Sequence, residues 1–517
     1  MRFSCLVFLC VLSAACAWPS GENQAPLREG RFVKEEFPGA YYGEPASMSC
    51  ANLGLDVKTW GEQRLVDYIC PQFVMLKLAS PQELRECMAQ DLPVALRTPV
   101  AWRTHVVRQL NGGEKPFQLS AKFQIVTENW NRVVAVPYIV YMPEKDRLLM
   151  LVGCDYPHHA MVLTSDDHGS MWTDPRPVWL DKEGKTVPGL GTSLTYLGNG
   201  RVMLATDRLW FSSDYGATWG GPDAQTDPLA IQPAPDGKPW NLWDPMLPDK
   251  NESGLVRLVQ TGYEMDNALY SSGSGPGYST AYIRFSSDWG RTWPETVAVP
   301  QWKGVSEVAL LRAGNGDMVA ACRTDIPAHF KGETLDHYEG LAVSISKDSG
   351  HTWSDLKRLY DWGRHHPSMV LMPNGGIVMT YVVRKGYVDT ADGFIQFGIE
   401  AIMSRDNGRN WDLDHRYILH SWAGNRKGPE AWWASSQATS SVLLPDGSIL
   451  TAFGAGYRSQ PGPNGPTPRD AGLVLWRLNE APVNSGHTIT EAASCRPAAD
   501  NDAAFDSDLR NIFNPSL

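Results

Sequence analysis

The sequence predicts an all-β fold, a six-bladed β-propeller preceded by a short irregular N-terminal extension. Three observations predict it. One turn motif, Ser-x-Asp-x-Gly-x-x-Trp, occurs five times; a tight hairpin precedes each copy; and the intervals between copies are those of blades, with successive Asp residues 47, 74, 60 and 58 positions apart. Repeats at such periods mark propellers and solenoids.

The five copies are Ser165-Asp167-Gly169-Trp172, Ser212-Asp214-Gly216-Trp219, Ser286-Asp288-Gly290-Trp293, Ser346-Asp348-Gly350-Trp353 and Ser404-Asp406-Gly408-Trp411. Each reads as a turn in which Asp accepts backbone hydrogen bonds, Gly supplies a positive φ, and Trp covers the core between sheets. The motif's Asp and Trp are therefore structural. Upstream lie paired apolar runs around Gly198-Asn199-Gly200, Gly314-Asn315-Gly316 and Asn374-Gly375-Gly376. Related turns fall at Lys145-Asp146, near Asn251 and Gly254, and at Asp446-Gly447. Asn-Gly and Asp-Gly between apolar runs are strong hairpin signals. Two inner strands joined by the hairpin and two outer strands joined by the motif turn make a four-stranded blade. The sixth unit, 437–477, ends in Leu473-Val474-Leu475-Trp476 without a motif.

The expected organisation is a signal peptide at 1–17, an N-terminal extension at 18–118 with a helix near 81–90, the propeller at 119–480, and a small, polar, acidic tail at 481–517 predicted to be disordered. Met1-Arg2-Phe3, the apolar run that follows and Ala15-Cys16-Ala17 read as a leader and its cleavage site. This predicts a secreted, extracellular or periplasmic protein, with a lipoprotein anchor at Cys16 as the weaker alternative. No later run reaches the length of a membrane span. Cys50, Cys70, Cys87, Cys154, Cys322 and Cys495 would remain, with disulfides permitted and their connectivity open. No zinc-ligand spacing occurs, and no metal or cofactor is called for. Asn251-Glu252-Ser253 is a glycosylation sequon. A net charge of −11 without Lys/Arg clusters excludes nucleic acid and anionic membrane surfaces as partners. Twenty Trp residues suit a glycan-binding β-protein.

Strand direction locates the functional face. If the motif turns and inner hairpins share one face, the starts of first strands and the ends of second strands meet on the other. That places Tyr138, Ser193, Trp243, Asp244, Glu307, His365, His366 and Gln437 at strand starts. Asp155, His158, His159, Asp207, Arg208, Tyr263, Glu264, Asp266, Arg323, Asp325, Arg384, Tyr387, Tyr457 and Arg458 stand at second-strand ends and in the loops that follow. Long loops on this rim, 264–278, 324–339, 385–396 and 459–470, fit a binding role. Ionisable groups crowded into one cavity point to a ligand.

Over residues 119–480 the chain resembles the sialidase superfamily, the Asp-box or BNR-repeat propellers. The resemblance implies arginines that hold a substrate carboxylate, an Asp general acid, and a Tyr nucleophile assisted by a Glu. Guanidinium pairs bidentately with carboxylate, and a neutral Tyr avoids repulsion with an anionic sugar. Glu307 through Arg323 resembles the family's blade that opens on Glu and ends on a carboxylate-binding Arg, with Arg384 ending the next blade and Glu264 near the assisting Glu. Val136-Pro137-Tyr138 stands where the family has Arg-Ile-Pro, and Gln437-Ala438-Thr439-Ser440 where it has its Tyr.

The resulting expectation is an exo-acting glycoside hydrolase releasing a terminal acidic sugar, sialic acid by default, from sialylated or other acidic glycans. Asp155, Tyr263, Glu264, His365 and His366 are the catalytic candidates, since His titrates near neutrality and serves as acid or base. Arg208, Asp244, Glu307, Arg323, Asp325, Arg384, Tyr457 and Arg458 are the substrate-binding candidates. A uronate-active glycosidase or lyase using His and Tyr, and a non-catalytic glycan-binding propeller, are the alternatives.

Overall fold

The computed structural model describes residues 102–478 except 113, 128–129, 131–133, 156–157, 181–184, 223–226, 251–255, 267–276, 331–336, 392, 425–434 and 456–469. The expected leader, the helix expected near 81–90, the sequon's Asn251, the tail at 481–517, and Cys50, Cys70, Cys87 and Cys495 lie outside these residues. Cys154 and Cys322 are fully buried.

A hairpin comes first, β1 (Arg103–Asn111) and β2 (Glu114–Ile125). Four antiparallel four-stranded sheets follow, each of consecutive strands. The first holds β3 (Val134–Met142), β4 (Arg147–Cys154), β5 (His159–Ser165) and β6 (Arg176–Pro177). The second holds β7 (Ser193–Gly198), β8 (Arg201–Ala205), β9 (Arg208–Ser212) and β10 (Leu229–Ala230). The third holds β11 (Leu247–Lys250), β12 (Val256–Met265), β13 (Ser279–Ser286) and β14 (Glu295–Lys303). The fourth holds β15 (Val305–Arg312), β16 (Met318–Thr324), β17 (Gly340–Ser346) and β18 (Lys357–Tyr360).

The remaining strands are β19 (Arg364–Leu371), β20 (Ile377–Val383), β21 (Gln396–Ser404), β22 (Tyr417–Ala423), β23 (Thr439–Leu443), β24 (Ile449–Ala455) and β25 (Asp470–Trp476). With β1 and β2 they form one nine-stranded sheet, ordered β19-β20-β21-β22-β1-β2-β25-β24-β23. The arrangement is all-β and propeller-like. It departs from six separate blades because β1 pairs on one side with β22 and on the other with β2, which in turn pairs with β25. The expected boundary at 118/119 falls inside β2. The last unit has no motif turn because, among the described residues, the outer neighbour of β25 is not the strand that follows it but β2, from far earlier in the sequence.

Each motif turn follows the third strand of its sheet, as expected. In the fourth sheet Ser346 Oγ donates to Asp348 Oδ1 (2.8 Å), and Asp348 accepts from Thr352 N and Oγ1 (2.8 and 2.6 Å). Despite its desolvation, these bonds draw the Asp348 carboxyl down to about 2. The left-handed segment is two residues long. Before each motif Gly stands His168, Tyr215, Trp289, Ser349 or Asn407, at φ 52–64°. Inner hairpins meet these turns: His168 lies 2.7 Å from Asp146, Tyr215 N donates to Gly200 O (2.9 Å), and Asn315 N to Asn407 Oδ1 (3.2 Å). Turns and hairpins thus share one face, and the opposite face carries the strand ends.

Candidate functional site

On that opposite face three inner strands enter through β-bulges. The pairs Val136-Pro137, Ser306-Glu307 and His366-Pro367 each oppose a single residue on the neighbouring strand. Bulges re-aim side chains and recur beside active sites. Val136 (φ 45°) and His366 (φ 57°) are left-handed although each precedes proline, which restricts a residue to extended backbone. Such conformations persist only when surroundings enforce them. At Val136 the enforcing group is Gln437, whose Oε1 accepts the Val136 N–H at 2.9 Å. At His366, Thr439 Oγ1 donates to its carbonyl at 3.1 Å.

The residue opposite the Ser306-Glu307 bulge is Arg323, and the two charges meet: Arg323 Nη1 donates to Glu307 Oε1 at 2.8 Å. The other edge of the guanidinium is taken by Glu339, with Nε to Oε2 at 2.5 Å and Nη2 on the same oxygen. Tyr278 Oη donates to Glu339 Oε1 at 2.7 Å and accepts from Ile326 N at 3.2 Å. His366 Nδ1 lies 3.5 Å from Glu307 Oε2, its ring edge-on to Trp243 with centroids 6.0 Å apart. Asp244, the residue after Trp243, is buried and accepts the Val308 N–H.

Burial first, and then the charge of Glu307, push the Asp244 carboxyl well above the usual range; the Val308 N–H and Arg323 oppose this without reversing it. Tyr263 is raised by burial and Glu307, and Tyr138 by burial, Asp244 and Glu307. The Tyr138 hydroxyl donates to the Trp243 carbonyl. Two carboxyl groups therefore sit together, one held by a cation and one pushed toward its neutral form. This is the pattern of an acid–base pair.

Of the residues expected from sequence, the structure brings together Asp244, Tyr263, Glu307, Arg323 and His366. It separates the others. Tyr263 and Glu264 face opposite sides of β12, so Glu264 is no partner to Tyr263: it accepts from Tyr282 Oη (3.0 Å), 3.8 Å from Lys238 Nζ. Asp325 is a loop fastener, its Oδ2 accepting from Gly277 N and Ser279 N at 2.7 and 3.1 Å. Arg384 donates Nε to Ser436 O at 2.8 Å. Arg208 is exposed on an outer strand and donates to Pro228 O at 3.4 Å. His365 is fully buried. Asp155 is half-buried in a left-handed turn (φ 66°) after β4. Tyr457 and Arg458 lie outside the described residues.

Sequence reasoning missed Glu339, which stands in a loop with nothing local to mark it. It also missed a buried network behind β19, where Glu400 accepts from Arg364 Nε (3.2 Å), Tyr381 Oη and Tyr387 Oη (both 3.0 Å). Gln437 and Ser440, where the resemblance sought a Tyr, tie β23 to β3. Among the described residues no three His, Cys, Asp or Glu side chains are grouped to hold a metal ion.

No curated protein matches the chain. Among solved structures it resembles a protein of unknown function from Dyadobacter fermentans, at 15% identity, with 73% of this chain and 100% of that one covered and a TM-score of 0.47. It also resembles an intramolecular trans-sialidase from Ruminococcus gnavus (12% identity, 67% and 94% covered, TM-score 0.44). A third is an α-L-arabinofuranosidase from Fusarium graminearum (13% identity, 66% and 92% covered, TM-score 0.41). The family model for BNR repeat-like domains matches residues 108–379, more than half of the 517-residue chain. Its motif turns, sheets and family match together make this chain a member of the BNR repeat-like domain family.

Proposed function

We propose that this protein is a glycoside hydrolase whose chemistry rests on Asp244 and Glu307. The carrying observation is the divergent environment of two adjacent carboxyl groups, Asp244 pushed toward its neutral form by burial and its neighbour's charge, Glu307 ion-paired to Arg323. In this reading Asp244 passes its proton to the departing glycosidic oxygen as the bond to the anomeric carbon breaks. Glu307 faces the positive charge that develops on that carbon, and water adds its hydroxyl there while its other proton returns to the Asp244 carboxylate. His366 orients Glu307, and Trp243 offers an aromatic wall. Cleavage of a terminal residue from the outer end of a glycan suits a mouth ringed by strand ends.

We further read the nine-stranded sheet as two blades joined through β1, six in all. The first strands β3, β7, β11, β15, β19 and β23 pack in succession, and β23 packs on β3, which supports a closed ring around this mouth. The leader-like residues 1–17 support export. The sialidase version of the reading requires arginines available to a substrate carboxylate, and it rests on Arg323 and Arg384.

The test is turnover of a panel of neutral and acidic glycans, with released sugars identified by mass. Release of a monosaccharide by the wild type and its loss in both Asp244→Asn and Glu307→Gln is the expected result. Full activity in either variant sinks the assignment.

A further inference from the structure

We infer that the sugar accepted at this mouth is uncharged, because the guanidinium groups that the described residues place there, those of Arg323, Arg364 and Arg384, are engaged by the protein itself. This deepens the glycosidase reading and rests on it for the location of the site.

A carboxylate ligand is held best by an arginine that presents two parallel N–H groups. Arg323, expected to be that residue, has Nη1 on Glu307 and both Nε and Nη2 on Glu339. One cation thus already answers two buried carboxylates. Glu339 cannot swing aside without breaking its bond from Tyr278, which is itself tied to Ile326. Arg384 spends Nε on the Ser436 carbonyl. Arg364, at the start of β19, is fully buried; its Nε donates to Glu400, and its guanidinium carbon lies 4.7 Å over the Tyr360 ring.

An anionic sugar entering beside Asp244, Glu307 and Glu339 would add a further negative charge in a poorly solvated space, where like charges repel most strongly. A neutral sugar meets no such barrier. Its hydroxyls can donate to carboxylate oxygens, and its apolar face can lie on Trp243.

The intact protein is titrated calorimetrically, and assayed for turnover, with lactose, arabinobiose and xylobiose against 3′-sialyllactose and aryl glucuronide. Binding of at least one neutral sugar ten times tighter than either acidic one is expected. Glu339→Gln, near-isosteric, releases one edge of Arg323 and should raise affinity for free sialic or glucuronic acid at least tenfold. If that variant fails to fold, Tyr278→Phe loosens the same carboxylate and should move affinity in the same direction. Turnover of the acidic glycosides as fast as the neutral ones overturns the inference while leaving the hydrolase reading intact. Binding of neutral sugars without turnover does the reverse. Failure to bind any of the five counts against both.

Discussion

At the scale of single residues, Asp244 sets activity against stability. A carboxyl whose folded-state pKa is raised keeps a proton that the unfolded chain releases above about 3.9, so at neutral pH it subtracts from stability. That deficit opens as pH rises past the unfolded value and grows until the native group ionises. Asp244→Asn removes it and keeps an oxygen for the Val308 N–H. The variant is predicted to lose about 10²–10⁴-fold in kcat/KM while its melting temperature at pH 7 rises, by about 1 °C for each kcal/mol relieved in a chain of this size. Calorimetry and a coupled sugar assay on one preparation check both, and a variant that is inactive and also less stable argues for a purely structural Asp244. The pH profile follows the same sign: the wild type should lose activity on its alkaline side as Asp244 gives up its proton.

At the scale of elements, the motif turns and the seam strand make separate predictions. Gly350 sits at φ 96°, and a Cβ there would come 3.1 Å from the Phe285 ring. Gly350→Ala should therefore cost about 1–3 kcal/mol, read as a lower urea midpoint with an unchanged slope; an unaffected midpoint would show that the turn relaxes freely. On the seam, His105 of β1 and His420 of β22 pack at a tilt against Phe123, with the His105 Nε2 atom 2.7 Å from the Leu419 carbonyl. Burial draws His105 down to about 4 and His420 well below its usual value, with Arg108 adding to both. A depressed histidine favours the folded state only above its unfolded value, so seam stability is intact above pH 6.5 and drains as pH falls toward 4. For His105 alone the loss reaches about 3 kcal/mol. Hydrogen-exchange protection factors in β1 and β2, taken relative to the intrinsic rate at each pH, should fall over that interval, and His105→Gln should flatten the dependence.

At the scale of the whole molecule, the first described hairpin and the last described strand are joined in one sheet, since β2 pairs with β25 from Lys122–Leu475 to Ile125–Gly472. Deleting residues 1–126 removes that strand, strips the cover from His420, Trp422 and Phe453, and leaves the β25 edge unpaired. The truncated protein should lose its single cooperative melting transition. Retention of one sharp transition near the wild-type temperature would mean that the strands from β3 onward hold together without the N-terminal hairpin.

How much of this was legible in the sequence divides along physical lines. The motif turns, the inner hairpins and the face opposite them are set by contacts within a few residues. Asp348 bonding Thr352 and glycines at positive φ leave marks at fixed spacing, and strand direction converts those marks into a location. Which side chains at that location meet is set by contacts across the chain. Arg323 was visible as a strand-end cation, but its second acceptor, Glu339, comes from a loop, and its first from a bulge that hydrophobic alternation does not reveal. Tyr263 and Glu264 were adjacent in sequence and equally suggestive, yet a strand sends neighbours to opposite faces, and only the packing of β12 decided that Tyr263 turns toward Glu307. The sequence by itself determined the repeat and the side of the molecule where a site must lie; the tertiary structure alone decided that its arginine is already occupied, because pairing of buried charges depends on distances that no local pattern encodes.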